Sequence, residues 1–125
     1  MTLAYWCVLI AAFVPVLFTG IAKFSGPGFN NRTPRDFQDR LTGFRRRAHW
    51  AHLNSFEAFP PFAAAVLIAH QIGTLAQGTL DGLAVGFIVA RLLYGAFYIA
   101  DRHLLRSLAW TAATGCWVAM LVMSA

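Results

Sequence analysis

The chain has 125 residues, of which 58% are hydrophobic and 12% charged, where an ordinary soluble domain carries roughly a quarter charged residues. Such a composition excludes a water-soluble globular fold and predicts a membrane protein. The net charge of +5 comes from basic residues grouped beside apolar runs. That placement suits anionic lipid headgroups, and no nucleic-acid partner is expected from it.

Four stretches approach the roughly 20 apolar residues that cross a bilayer core about 30 Å thick. They predict helices over about 3–22, 48–72, 80–100 and 107–125, with a loop over 23–47. The expected fold is all-α and integral to the membrane: a four-transmembrane-helix bundle forming a single domain over residues 1–125.

The first stretch carries no charge before Lys23. Its positive charges follow the apolar run instead of preceding it, which predicts a retained anchor and not a cleaved signal. Pro15 within it, like the Pro60-Pro61 pair in the second stretch, removes a backbone donor and predicts a kink.

In the loop, "FSGPGFNN" has the Gly, Pro and Asn density of an irregular turn. "TPRDFQDRLTGF" then reads as a helix start, with Thr33 as cap, Pro34 at the first helical position and Asp36 three residues after the cap. Phe37, Leu41 and Phe44 recur at i, i+4 and i+7, so the segment is either a short helix lying on the membrane surface or an extended loop with scattered aromatics. "NRT" at Asn31 matches a glycosylation sequon, which a cytoplasmic placement would leave unmodified.

Orientation follows from the basic residues. The first connection holds Lys23, Arg32, Arg35, Arg40, Arg45, Arg46 and Arg47, the second holds none, and the third holds Arg102 and Arg106. Lys and Arg accumulate on the cytoplasmic side. Both basic connections are therefore expected there, with both termini on the non-cytoplasmic side of a multi-pass protein, in the cell inner membrane if the source is bacterial.

The third stretch opens on "GLAVG", where Gly82, Gly86 and then Ala90 form a small-residue stripe that predicts a close helix seam, inside a subunit or between subunits. Cys7 and Cys116 lie in apolar runs with no metal or redox spacing and read as buried free thiols. His49 and His52, with His103 near the same surface, lack an acid or thiol at ligand spacing, so no metal site is expected.

Two ionisable residues, Glu57 and Arg91, fall inside the predicted spans. An intramembrane charge is costly unless paired or wetted, and marks function by default. Counted from the cytoplasmic ends of their helices, they lie roughly 14 and 15 Å deep at 1.5 Å per residue. Opposite charges at matched depth predict a direct pair. That pair either locks the bundle or belongs to a site.

Further polar residues share those faces. Arg46, Trp50, Asn54 and Glu57 fall within roughly 80° of one face of the second helix, and Arg91, Tyr94, Tyr98 and Arg102 follow i, i+3, i+7 and i+11 on the third. Tyr94 and Tyr98 are either packing aromatics or part of a site. Facing stripes of this kind form a polar cleft open to the cytoplasm, suited to a small anionic or zwitterionic ligand.

The run "AHLNSFEAFPPF", the R…Y…Y stripe of the third helix and "LRSLAW" at the start of the fourth resemble the MAPEG family, the membrane-associated proteins of eicosanoid and glutathione metabolism. The resemblance spans nearly the whole chain and is that of a short, bacterial-like member. It implies a homotrimer that binds glutathione as co-substrate between neighbouring subunits, among membrane lipids, and acts on a lipophilic small molecule. Carried over by position, it makes His52, Asn54, Glu57, Arg91, Tyr94 and Tyr98 glutathione contacts and places Arg106 and Ser107 at the thiol as the catalytic pair. Many members have a basic residue where this chain has Trp50, and often another where it has Leu53.

The function implied is a glutathione-dependent membrane transferase or peroxidase acting on lipophilic electrophiles or hydroperoxides. Two alternatives stand beside it: a non-catalytic member of the same fold that binds lipids or other proteins, and a small proton-coupled transporter. The transporter is disfavoured because the first helix holds no acid.

Overall fold

The computed structural model describes residues 1–125. The chain is built from helices α1 (Leu3–Phe24), α2 (Pro34–Asp39), α3 (Gly43–Ile72), α4 (Gln77–Ile99) and α5 (His103–Ser124), with no strand. By length and composition α1, α4 and α5 can each cross a bilayer. α3 is the longest helix at 30 residues, but Arg45, Arg46, Arg47, His49, His52, Asn54 and Glu57 fall in its first half and dilute its apolar character.

The four long helices run up, down, up, down. Ala4 N donates to Asp81 at 2.8 Å and Phe18 packs on Gly95, so α1 and α4 are parallel. Thr2 meets His70, and Arg45 reaches Ala22, so α1 and α3 are antiparallel. α3 and α4 share the diagonal of the bundle and each touches every other long helix, whereas α1 and α5 occupy opposite corners. The diagonal is therefore where a buried polar residue can be surrounded by protein.

The core is built mostly of small residues. Ala4, Ala11, Ala65, Ala69, Ala84, Ala90 and Ala113 are buried and bring the helices close, and the Phe62 and Phe87 rings stack at 3.9 Å between α3 and α4. Without a hydrophobic drive inside a bilayer, close van der Waals packing of this kind supplies the association energy.

Within the subunit the expected small-residue seam is used at Gly86 and not at Gly82. A side chain at Gly86 would meet Cys116 Sγ at 3.3 Å, whereas one at Gly82 would meet nothing within 4 Å. The tightest approach is at Gly95, where a Cβ would overlap the Phe18 ring. Both proline sites are accommodated inside continuous helices.

The loop segment does form a helix, with Pro34 at its start, but it has only six residues and ends at Asp39. Leu41 is buried beside Ala22 and Ala48, and Phe44 already belongs to α3. The i, i+4, i+7 pattern therefore spans two elements. Gln38 fixes α2 to α1 through a 2.7 Å bond from Nε2 to Thr19 Oγ1.

Two of the three consecutive arginines secure the ends of neighbouring helices. Arg45 donates to the carbonyls of Ala22 at 3.0 Å and Lys23 at 2.9 Å, at the C-terminus of α1. Arg47 donates through Nε and a terminal nitrogen to Ile99 O, both at 3.1 Å, at the C-terminus of α4. Both satisfy carbonyls that a helix end leaves without partners.

Candidate functional site

The polar residues of α3 and α4 converge on the diagonal. Arg91 is 2% exposed. It donates to Asn54 Oδ1 at 2.9 Å and Ser55 Oγ at 3.1 Å, and lies 4.2 Å from the Tyr94 ring centroid. Asn54 Nδ2 in turn donates to Glu57 Oε2 at 3.0 Å.

The direct Glu57–Arg91 pair expected from matched depth is replaced by this relay. The amide is suited to it, since guanidinium only donates and carboxylate only accepts, while Asn does both. Asn54 therefore holds the buried cation without closing off the acid. Glu57 remains exposed, with its second oxygen free of protein hydrogen bonds.

Three adjoining hollows share Asn54 as a common wall. The innermost, about 290 Å³, lies among α3, α4 and α5 between Glu57, Pro61, Phe87, Arg91, Trp110, Thr114 and Trp117. The second, about 330 Å³, is bounded by Trp50, Leu53, Glu57, Tyr94 and Tyr98. The third, about 300 Å³, is bounded by Tyr94, Tyr98, Arg106, Ser107, Trp110 and Thr111. Together they make one cleft with an apolar, tryptophan-walled end and a polar end.

Aromatic contacts organise the polar end. Tyr94 and Tyr98 meet edge to face at 5.6 Å, and Trp50 lies 6.1 Å from Tyr98. The Arg106 guanidinium sits 4.4 Å from the Tyr98 centroid, and that of Arg46 sits 5.1 Å from the Trp50 centroid. Cation–π contacts of this kind hold a guanidinium in place while leaving its edge donors free.

Of the residues singled out in the sequence, the cleft gathers Asn54, Glu57, Arg91, Tyr94, Tyr98, Arg106 and Ser107. His52 is not among them. Its Nδ1 lies 2.9 Å from the Pro15 carbonyl and its ring packs edge-on against Phe56, so within the subunit it serves the α1–α3 contact. Arg102 also leaves the stripe, because α4 ends at Ile99 and Asp101, at φ 59, turns the chain into α5.

The sequence reading passed over Ser55, Trp110, Thr111 and Thr114. Ser55 accepts from Arg91 and its hydroxyl donates to Ala51 O at 2.7 Å. The other three follow Ser107 at i+3, i+4 and i+7 on α5, the spacing that keeps residues on one helical face. Extending the Arg106–Ser107 face along the helix is the signal that finds them.

An all-helical protein with three apolar spans is, by class, a helical membrane protein, and its intramembrane polar residues gather at a cleft between helices. The model of the MAPEG family matches residues 3–125, and the chain belongs to that family. Membership makes it a membrane protein of a family associated in general with glutathione-dependent transferase and peroxidase chemistry. No curated protein and no solved structure matches the chain.

Proposed function

We propose that the protein is a glutathione-dependent membrane transferase or peroxidase acting on lipophilic electrophiles or hydroperoxides. The observation that carries this reading is the placement of Arg106 and Ser107 at the polar end of a cleft centred on Asn54. A free thiol has a pKa near 8.5 and is mostly protonated at neutral pH, and a neighbouring cation lowers that value. Arg106 is the residue assigned to hold the glutathione sulfur as thiolate, and the Ser107 hydroxyl, which donates to His103 O at 3.0 Å, becomes a second donor by turning from that carbonyl to the sulfur.

The thiolate then attacks an electrophilic carbon, forming a C–S bond while the displaced group leaves with the electron pair. With a hydroperoxide it attacks the outer oxygen instead, breaking the O–O bond, and the departing alkoxide takes up the proton that the thiol gave up and leaves as an alcohol. A second glutathione reduces the resulting sulfenic acid to the disulfide and water. Asn54, Glu57, Arg91, Tyr94 and Tyr98 hold the rest of the tripeptide, and the hollow walled by Phe87, Trp110 and Trp117 suits the apolar co-substrate.

The same reading makes α3 a fourth span, with both termini away from the cytoplasm. α1 and α4 run parallel, so if both cross the bilayer the chain must return across it between them, and α3 is the helix that runs back. It also takes the assembly to be a homotrimer and the location to be the inner membrane if the source is bacterial.

Calorimetry of glutathione binding to the purified protein in detergent tests the proposal, with Arg106→Ala and Asn54→Ala alongside. Micromolar to low-millimolar affinity that both substitutions weaken is expected. Folded protein that binds no glutathione up to about 10 mM, a free energy weaker than roughly −3 kcal/mol, would overturn it in favour of a non-catalytic family member.

A further inference from the structure

Arg45, Arg46 and Arg47 are consecutive on the first turns of α3, and the fold consumes only two of them. Arg45 spends its donors on carbonyls at the end of α1, and Arg47 spends its own on Ile99 O. Arg46 is exposed and its side chain makes one hydrogen bond, of 3.4 Å, to Leu41 O. A guanidinium carries five N–H donors, so Arg46 keeps almost all of its capacity.

Its position is nevertheless defined. The guanidinium lies against Trp50, Trp50 walls the cleft and approaches Tyr98, and Tyr98 in turn carries Arg106 on its ring. An aromatic pair thus carries two cations, one against each ring. A planar fork steadied by a ring matches a carboxylate through two parallel hydrogen bonds.

The remaining charges of the cleft assign the ends of the ligand, granting the glutathione reading above. Glu57 offers a free carboxylate oxygen, which attracts an ammonium group and repels a carboxylate, so the γ-glutamyl amino group belongs there. Arg106 takes the sulfur. Arg91 is buried and directed at Asn54 and Ser55. Glutathione carries two carboxylates. The γ-glutamyl one shares a carbon with the ammonium and so stays at the depth of Glu57, Asn54 and Arg91, roughly 16 Å along α3 from Arg46. The cation left for the glycine carboxylate at the other end of the tripeptide is Arg46.

We propose that Arg46 binds the glycine carboxylate of glutathione and so sets the preference of the cleft for a tripeptide with a charged C-terminus.

The test compares glutathione with its glycine monoethyl ester, which differs in that one charge, by calorimetry on the detergent-solubilised wild type, Arg46→Ala and Arg46→Lys. Wild type should prefer glutathione by about tenfold or more, the difference expected for one charge-assisted contact. Arg46→Ala should bind both ligands with the affinity of the ester, and Arg46→Lys should regain part of the preference. The melting temperature of Arg46→Ala should match wild type, since no helix end depends on this side chain.

Preference for glutathione retained in Arg46→Ala would overturn the assignment and leave the glutathione reading intact. Equal weakening toward both ligands would also overturn it, as a general effect on the cleft. Failure of wild type to bind either ligand would overturn the glutathione reading and the assignment together.

Discussion

Asn54 Oδ1 accepts a 2.9 Å hydrogen bond from Arg91, and this bond, with the one to Ser55 Oγ and without an ion pair, ties the buried cation of α4 to α3. Replacing Asn54 with leucine leaves Arg91 with only Ser55 and takes the partner from Glu57. An unmatched buried polar group costs about 1–3 kcal/mol, and more when charged. Asn54→Leu should therefore lower the melting temperature in detergent clearly. Arg91→Met alone should do the same, and the double variant should lose less than the sum, because each change removes the other's partner. Strict additivity of the two losses would argue against the relay.

Gly95 and Gly82 lie on the same helix and predict opposite outcomes. Gly95→Ala drives a methyl group into Phe18, and overpacking of a close helix crossing costs about 1–3 kcal/mol. Gly82→Ala meets no atom within 4 Å in the subunit and should leave its melting unchanged. Thermal unfolding of the two variants side by side decides the matter; equal losses would place Gly82 at a contact between copies.

The arginine triplet offers a third comparison. Arg45→Ala and Arg47→Ala each strip hydrogen bonds from a helix C-terminus, for an expected loss of roughly 1–2 kcal/mol, while Arg46→Ala removes no such bond. Three melting curves should separate into two shifted and one unshifted. A shifted Arg46→Ala curve would mean that its contact with Leu41 O matters to the fold.

The helices were legible because apolar run length and turn chemistry act locally. Pro34 started α2 as its position required, and the runs placed α1, α4 and α5 within a turn or so of where they lie. The start of α3 at Gly43 was not legible, because three arginines look like loop until one sees Arg45 and Arg47 capping other helices. Periodicity also specifies a face without specifying the neighbour it meets. Asn54 and Glu57 were correctly put on one face, but nothing in the spacing said that Asn54 would stand between the charges.

His52 is instructive in another way. At 3.6 residues per turn it falls about 140° around the helix from Glu57, so periodicity placed it away from the cleft while the family resemblance placed it within. The subunit follows periodicity, and the Pro15 carbonyl takes its Nδ1. Substituting His52 should therefore disturb the α1–α3 contact first. His52→Ala with lowered melting but unchanged glutathione affinity is the expected pair of results, and the reverse pair would restore it to the binding site.

The role assigned to Arg106 has a signature in pH. A cation beside the bound sulfur stabilises the thiolate, so the thiol pKa in the complex lies below the free value near 8.5. Removing the cation raises it. At a pH below both values each unit of that rise lowers the thiolate fraction, and with it the rate, about tenfold. Arg106→Ala should thus lose activity at neutral pH and recover part of it as the pH rises toward the free thiol value, whereas Arg106→Lys should keep a profile close to wild type. The measurement is the conjugation rate against a soluble electrophile across pH, with thiolate ultraviolet absorbance of the bound glutathione read in parallel. Melting should be unaffected, because Arg106 is only half-buried and its side chain rests on the Tyr98 ring. A rate that falls by the same factor at every pH would assign Arg106 to ligand positioning and remove it from thiolate stabilisation.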